Sequence, residues 1–451
     1  MTWTQKVTLD QIKEYIAQSD VTALLNLFDD LQGADIAEIV SLLDENERTS
    51  VFLELSPDDS ARVFEHLDYR LQTQLLMSLG PERAKEILGD MFSDDLADLV
   101  GELNPEQADE VLALMEDADA EEIRDLLSYP ETSAGGIMST ELVKLDHRKT
   151  VDDAIKLIRS GAENLESVYY VYVTKEGKLA GVVTLRQLIV ASPVTKLGDI
   201  MEDNVVSVRA SVDQEEVARL LSKYDFIAMP VVDEHNRLLG MVTIDDVLDV
   251  LSEEATEDIS KFGGSQPLDE PYLTASVFSM FKKRIGWLLI LFVAQAFTSS
   301  IMKSYEVVLD SVVALAFFIP LLIDTGGNAG SQAATLVIRG MAVGEVSIKH
   351  ASKVFFKEMR VGLLLGVVMG AITYARALMM GESAALALTV TVTVMSIILM
   401  AVLMGSILPM ILKKLKLDPA VVSGPFITTF VDTLGLLIYF VLAARMLGIS
   451  M

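Results

Sequence analysis

Two carboxylates, Asp324 and Asp432, stand inside long apolar stretches with no basic residue beside them. An ionised acid in hydrocarbon costs roughly 2.5–3.5 kcal/mol on insertion scales, so each should face a bundle interior or an aqueous path. Gly424-Pro425 and Thr428-Thr429 precede Asp432, and Thr428 lies one helical turn earlier on the same face. Asp324 belongs to the run Pro320-Leu321-Leu322-Ile323-Asp324-Thr325-Gly326-Gly327-Asn328-Ala329-Gly330-Ser331-Gln332. A proline, three glycines and several polar side chains sit poorly in lipid, so the run predicts an interruption that frees backbone carbonyls near Gly327 and Asn328. Asn328 and Gln332, four apart, would add side-chain oxygens on one face. The competing readings are close helix packing through small residues and, for the aspartates, structural acids bonded to backbone. Oxygen-only donors with net negative charge, without sulfur or imidazole, suit a hard cation such as magnesium or calcium over copper or zinc. His66, His147, His235 and His350 are scattered and form no metal-ligand spacing.

The elements that position these acids are membrane spans. Of the 451 residues, 65 are Asp or Glu and 36 are Lys or Arg, a net charge of −29. The acids concentrate in residues 1–270 (57 against 22 Lys and Arg), whereas residues 271–451 hold 8 against 14. Apolar runs in the second part reach the roughly 18–20 residues needed to cross ~30 Å of hydrocarbon. Five spans are predicted: Ile285–Met302, Val307–Ile323 running on with an interruption towards Ile338, Val361–Leu378, Ala384–Leu412 and Val421–Leu447. With residues 1–270 cytoplasmic, eleven Lys and Arg fall on inner flanks and three on outer ones, which predicts a cytoplasmic N-terminus and an external C-terminus. This distribution argues against a wholly soluble protein and against a nucleic-acid binder held by a basic face. The absence of cysteine excludes a disulfide scaffold. Met1–Asp10 has no signal-peptide pattern, consistent with a cytoplasmic first half.

The acidic half holds two internal repeats. Leu55-Ser56-Pro57-Asp58, Leu79-Gly80-Pro81-Glu82 and Leu103-Asn104-Pro105-Glu106 recur every 24 residues, with a half-period at Leu43-Asp44 and Leu67-Asp68. A capping residue, often a proline at the first helical position, then about nine helical residues predict a stack of short helices. Asp90, Asp94, Asp95 and Asp98 crowd one stretch, where like charges repel unless counter-ions arrive. Beyond Gly135-Gly136, Ile137-Met138, Thr150-Val151-Asp152 and the Lys178–Thr184 run match Ile200-Met201, Ser211-Val212-Asp213 and the Arg237–Thr243 run. Each copy reads strand, helix, strand, strand, helix; in the second these fall at Val205–Val208, Glu215–Tyr224, Ala228–Val232, Gly240–Ile244 and Asp245–Leu251. The repeat resembles a tandem cystathionine-β-synthase (CBS) pair, a module that commonly binds adenosine nucleotides or ions. The family's ribose-binding Asp, three residues after a Thr or Ser, is matched by Asp246 after Thr243; Gln187 departs from it after Thr184. An acidic helix through Glu253, Glu254, Glu257 and Asp258 then runs to a break at Gly263-Gly264. Acids approaching Asp418 at the start of the fifth span would repel it unless a divalent cation bridged them, or unless Lys282, Lys283 and Arg284 neutralised the segment.

Over essentially its whole length the chain resembles the MgtE-type magnesium channels and transporters. The features carrying this are Pro320–Gln332 with Thr325-Gly326-Gly327-Asn328 and Gly330, then Asp418-Pro419-Ala420 and Asp432. The resemblance implies a multidomain fold: an α-helical N domain (1–131), a CBS pair (132–250; copies 137–199 and 200–250), a connecting plug helix (251–281) and a five-helix transmembrane pore domain (282–451). It implies a homodimer in the cell (inner) membrane whose second and fifth spans line a pore. Asp432 would hold hydrated Mg²⁺ there, with Gly327, Asn328, Gln332 and Thr428. By motif match, regulatory Mg²⁺ would bind Asp94, Asp98, Glu215, Asp225, Asp246, Asp249, Glu254, Glu257, Asp258 and Asp418. ATP near Tyr169, Arg186 and Phe226 is a further candidate ligand; no enzymatic activity and no nucleic-acid partner are expected. The competing functions are a divalent-cation exchanger coupled to protons or sodium and, with far less support, a membrane hydrolase using Asp324 and Asp432.

Overall fold

The computed structural model describes residues 9–449 except 19, 29–30, 162–164, 269–271, 274 and 420–423. It divides into two units, Met1–Leu251 and Ser252–Met451.

In the first unit, the described residues form ten helices of 8–11 residues from Leu9–Gln18 to Asp117–Leu126. Their starts follow the 24-residue repeat: Pro57, Pro81 and Pro105 occupy the first helical turn behind Ser56, Gly80 and Asn104. At the half-period, Asp44 and Asp68 accept backbone N–H bonds as N-caps. Each helix is too short to stand alone and buries one face, with Val51, Phe52, Phe64, Leu75, Ile87 and Leu99 fully enclosed. That core continues through Ala134 and Met138 to Val217, Leu221 and Val242 of the second copy of the pair.

The pair folds as two three-stranded sheets. In the first, β1 (Val143–Asp146) runs parallel to β2 (Tyr170–Lys175), which is antiparallel to β3 (Lys178–Thr184). In the second, β4 (Val208–Arg209), β5 (Ala228–Val232) and β6 (Leu238–Thr243) repeat the pattern. The strand expected at Val205–Val208 contracts to two residues. The copies interlock, because Ser139 bridges to Met241 in the second sheet and Glu202 to Val182 in the first. Tyr172, Leu179, Ala228, Val232 and Met241 form a separate buried layer. The helix after β6 does not stop at Leu251 but runs unbroken from Ile244 to Phe262 and ends at Gly263-Gly264.

Among the described residues of the second unit, five helices are long and apolar enough to cross a membrane: Val277–Ser304, Ile319–Ala342 with a 3₁₀ lead-in Val313–Phe318, Ala351–Met379, Ala384–Lys414 and Gly424–Leu447. The expected start of the fifth span at Val421 lies outside the described residues. The fourth helix is the hub, packing on the second, third and fifth, while the first meets the fifth. The 3₁₀ turn Val313–Phe318 bonds its carbonyls in poorer geometry than an α-helix would, and Tyr439 supplies one partner by donating its hydroxyl to the Leu315 carbonyl at 2.8 Å.

The expected interruption at Pro320–Gln332 is absent. The helix is continuous from Ile319 to Ala342, Pro320 sits in its first turn where no N–H is needed, and the irregular segment lies before it. The glycines serve packing instead. A Cβ on Gly326 would lie 2.5 Å from Ile397 and 2.8 Å from Val431, and one on Gly330 would lie 2.9 Å from Ile427. One on Gly405 of the fourth helix would meet the Gly330 carbonyl oxygen at 2.2 Å. Neighbouring backbones thus approach without side chains between them, and the low helix propensity of glycine is outweighed by tertiary contact.

Candidate ion pathway and acidic clusters

Asp432 lies about a third of the way along the fifth helix, partly buried, and its Oδ1 is enclosed without a hydrogen-bond donor. Asp324 lies on the second helix, which packs against the fifth. The fifth helix is set by the second: a Cβ on Gly327 would stand 2.8 Å from Thr428 Cγ2. Thr428 therefore offers its methyl to Gly327, while its hydroxyl donates to the Pro425 carbonyl at 2.9 Å. The next residue after the acid, Thr433, shares a 2.7 Å hydroxyl pair with buried Thr298 of the first helix. Two neighbours thus hold the rotation of the fifth helix around Asp432.

Asp324, Asn328 and Gln332 recur every fourth residue on the second helix and are all exposed, with Thr335 beside them. The side-chain oxygens expected on one face are present. The freed carbonyls expected near Gly327 and Asn328 are not, because their backbone is within the helical ladder. What remains is a polar stripe on an otherwise apolar element.

The soluble carboxylates gather elsewhere. Asp94, in the first turn of the helix Ser93–Gly101, is buried and surrounded by Asp246, Asp95 and Glu166; burial first, then these charges, push its carboxyl well above the ordinary range. Burial likewise raises Asp95 to about 7 and Glu166 to about 8, with Asp246 contributing to both. Asp246 is raised by burial although it accepts the Thr243 hydroxyl at 2.5 Å. Ser93, preceding Asp94, donates its hydroxyl to Glu141 at 2.7 Å, which also receives Ser139 at 2.8 Å. Glu166, with a buried and unpartnered Oε2, was missed by the sequence reading. Its signal was only an acid in a turn.

Among the described residues no group of three or more His, Asp or Glu side chains converges as a ready cation cage. Asp98, Glu215 and Asp225 are exposed, the last closing the helix Gln214–Tyr224 in a left-handed conformation at φ 54°. Asp249 is exposed but adds to the charge acting on Asp246. Glu254, Glu257 and Asp258 lie in the second unit with Asp418; burial raises Asp258, followed by Asp418 and Glu254.

Of the nucleotide candidates, Tyr169 and Arg186 are exposed, and Phe226 stacks on Tyr224 at 5.4 Å between ring centres. Gln187 forms a capping box: its Oε1 receives the Thr184 N–H at 2.7 Å and hydroxyl at 2.8 Å, and its Nε2 donates to the Ile200 carbonyl. Asp246 occupies the same cap in the second copy.

Family comparisons fit this layout. A divalent cation transporter model, MgtE, matches residues 319–442, the MgtE intracellular N domain matches 31–132, and CBS domains match 134–193 and 197–253. The chain is 44% identical over 335 residues to a magnesium transporter MgtE of Thermus thermophilus, covering 74% of each chain. It is 39% identical over 330 residues to one of Bacillus subtilis, covering 73% of each. The chain belongs to the MgtE family. It is accordingly a multi-pass membrane protein of a magnesium-transporting family and not an enzyme. Its N-terminal part resembles the crystallised soluble part of a magnesium transporter, at 34% identity and a TM-score of 0.51 over 55% of this chain and 98% of that one. It also resembles the cytosolic domain of the Mg²⁺ channel MgtE in complex with ATP, at 38% identity and a TM-score of 0.51 over 54% and 100%. The family's membrane match begins at Ile319, the first residue of the glycine-bearing helix.

Proposed function

We propose that this MgtE-family protein is a Mg²⁺ channel, closed when cytosolic Mg²⁺ binds its acidic first half. The polar stripe Asp324, Asn328 and Gln332, exposed beside partly buried Asp432, carries the reading. Polar and charged groups on a membrane helix require an aqueous path or a second copy, and a homodimer joined along this stripe supplies both. Mg²⁺ sheds its water reluctantly, so such a path recognises it hydrated, with Asp432 and the amides of Asn328 and Gln332 accepting hydrogen bonds from the water shell. Thr428 and Gly327 serve by shape, since neither offers a free oxygen to the stripe. Inward flux draws roughly 4.6 kcal/mol per divalent ion per 100 mV.

Closure follows from the carboxylates around Asp94 and Asp246. Ionised together they repel, and a divalent ion among Asp94, Asp95, Glu166 and Asp246 converts that into attraction. Asp98, Glu215, Asp225 and Asp249 extend the negative surface on which further ions act. ATP binding in the pair at Tyr169, Arg186 and Phe226 is supported by the ATP complex of the related cytosolic domain, with ribose contacts other than Gln187. The protein sits in the cell membrane with its first half cytoplasmic.

The deciding experiment is single-channel recording of purified protein with Mg²⁺ varied on each side. Currents that fall as internal Mg²⁺ rises support the reading; identical conduction across internal Mg²⁺ rejects it. The placing of Asp324 and Asp432 on two packed helices favours a second reading, a proton-coupled exchanger, which requires uptake to follow an imposed pH gradient instead of voltage.

A further inference from the structure

The connecting helix ends with a cation among acids. Lys261 Nζ lies 2.7 Å from Asp418 Oδ2, on the segment leading into the fifth membrane helix, and pairs also with Glu257 one turn back. The next residue, Phe262, approaches the start of that membrane helix, its ring 3.8 Å from where a Cβ on Gly424 would stand. Four residues on, the Gln266 N–H donates to the Lys283 carbonyl at 3.1 Å. Lys261 also borders a cavity of about 360 Å³ with Glu257, Ser265, Gln266, Lys283 and Trp287.

We propose that Lys261 is a tethered cation that docks the end of the connecting helix onto the inner end of the fifth helix, so that no divalent ion is needed between Glu257 and Asp418. Glu257, Asp258 and Asp418 brought together would repel. An ammonium is a compact charge with three donors and serves two carboxylates at once. A hydrated divalent ion entering between the same pair must first displace that ammonium and leave it uncompensated, which opposes binding there. Phe262 against Gly424 and the Gln266–Lys283 backbone bond add contacts that likewise involve no ion. Both partners are partly exposed, 28% for Lys261 and 36% for Asp418, so the latch is modest and reversible. Its functional consequence rests on the gate reading above: Lys261 sets how much internal Mg²⁺ closure requires, while the Mg²⁺ itself acts on other carboxylates.

The test uses the full-length protein in lipid nanodiscs with Ile259→Cys and Leu417→Cys spin-labelled; both positions are exposed and the chain has no native cysteine. Pulsed electron-spin distances are read in EDTA and in saturating Mg²⁺ for the parent, Lys261→Met and Lys261→Arg. The expected result is a narrow short distance for the parent already in EDTA, broadened by Lys261→Met and restored by Lys261→Arg. A parent distance that narrows only with Mg²⁺, or a Lys261→Met distance as narrow as the parent's, overturns the proposal. In parallel recordings Lys261→Met should raise the half-closing internal Mg²⁺ about fivefold, the size of one modest ion-pair contribution. Asp418→Asn should show a similar shift and add little to it in the double variant. If parent conduction ignores internal Mg²⁺ the gate reading falls, while the EDTA distances still judge Lys261.

Discussion

Gly327 of the second membrane helix and Thr428 of the fifth touch so closely that a methyl group on the glycine would lie 2.8 Å from the threonine's own methyl. That contact sits one turn from Asp432 and sets where its carboxylate stands. Overpacking a close helix crossing costs about 1–3 kcal/mol. Gly327→Ala should therefore push the fifth helix away and cut Mg²⁺ uptake severely in proteoliposomes. Gly286→Ala, at a glycine facing open space, should leave uptake unchanged.

Asp432→Asn keeps the shape of the side chain and removes its charge. Uptake should fall to the background of empty vesicles, with the protein still eluting as folded material on size exclusion. Asp324→Asn should leave measurable uptake with a raised half-saturating Mg²⁺, since Asp324 is exposed on the stripe while Asp432 has an enclosed oxygen. Equal loss in both would assign them equal roles.

The raised carboxyls of Asp94, Asp95, Asp246 and Glu166 make the packing of the first half pH-dependent. A carboxyl whose folded value exceeds its unfolded value near 4 favours the folded form when protonated. This contribution is complete below about 4 and lost as pH rises through the folded values, about 7 for Asp95 and about 8 for Glu166. In EDTA, amide protection of residues 93–101 and 244–250, corrected for the intrinsic pH dependence of exchange, should be greater at pH 6 than at pH 8.5. Added Mg²⁺ should raise it more at pH 8.5, where protons no longer compete for the same oxygens.

At pH 8.5, above its folded value of about 8, Glu166 is ionised and Glu166→Gln removes one charge from that cluster. Without divalent ions the variant should melt about 2–4 °C higher, as a ΔΔG of about 1 kcal/mol produces in a unit of this size. Its further gain on adding Mg²⁺ should be smaller than the parent's. A lower melting temperature in EDTA would show that Glu166 is a structural acceptor and no part of the repelling group.

Gln187→Asp tests whether the capping box limits nucleotide binding. The aspartate preserves the Thr184 cap but loses the amide that donates to the Ile200 carbonyl. ATP affinity measured by titration calorimetry should rise if the ribose needs a carboxylate there, and stay constant if its contacts lie at Tyr169, Arg186 and Phe226.

The repeat-bearing parts were legible because their signals are local. Ser56, Asp68 and Asn104 cap their own helices, and prolines mark first turns, so period and element coincide. The membrane helices were legible from length and apolarity. The Gly326–Gly330 run was misread because glycine lowers helix propensity whether it breaks a helix or lets two helices meet, and only Thr428, Ile427 and Ala401 opposite decide between them. Lys261 and Glu166 were missed for a related reason. Lys261 meets an acid 157 residues away, and Glu166 joins Asp94 and Asp246 only through tertiary packing.

The helix Ile244–Phe262 begins beside Asp246, among the crowded carboxylates, and ends beside Lys261, with no proline or glycine between. Its 19 residues make a rod about 28 Å long. A rod without a joint cannot absorb a tilt; it magnifies one. Over the roughly 22 Å from Asp246 to Lys261, a tilt of about 10° carries the far end sideways by about 4 Å. A small tilt of this helix thus becomes a displacement large enough to unseat an ammonium from its carboxylate.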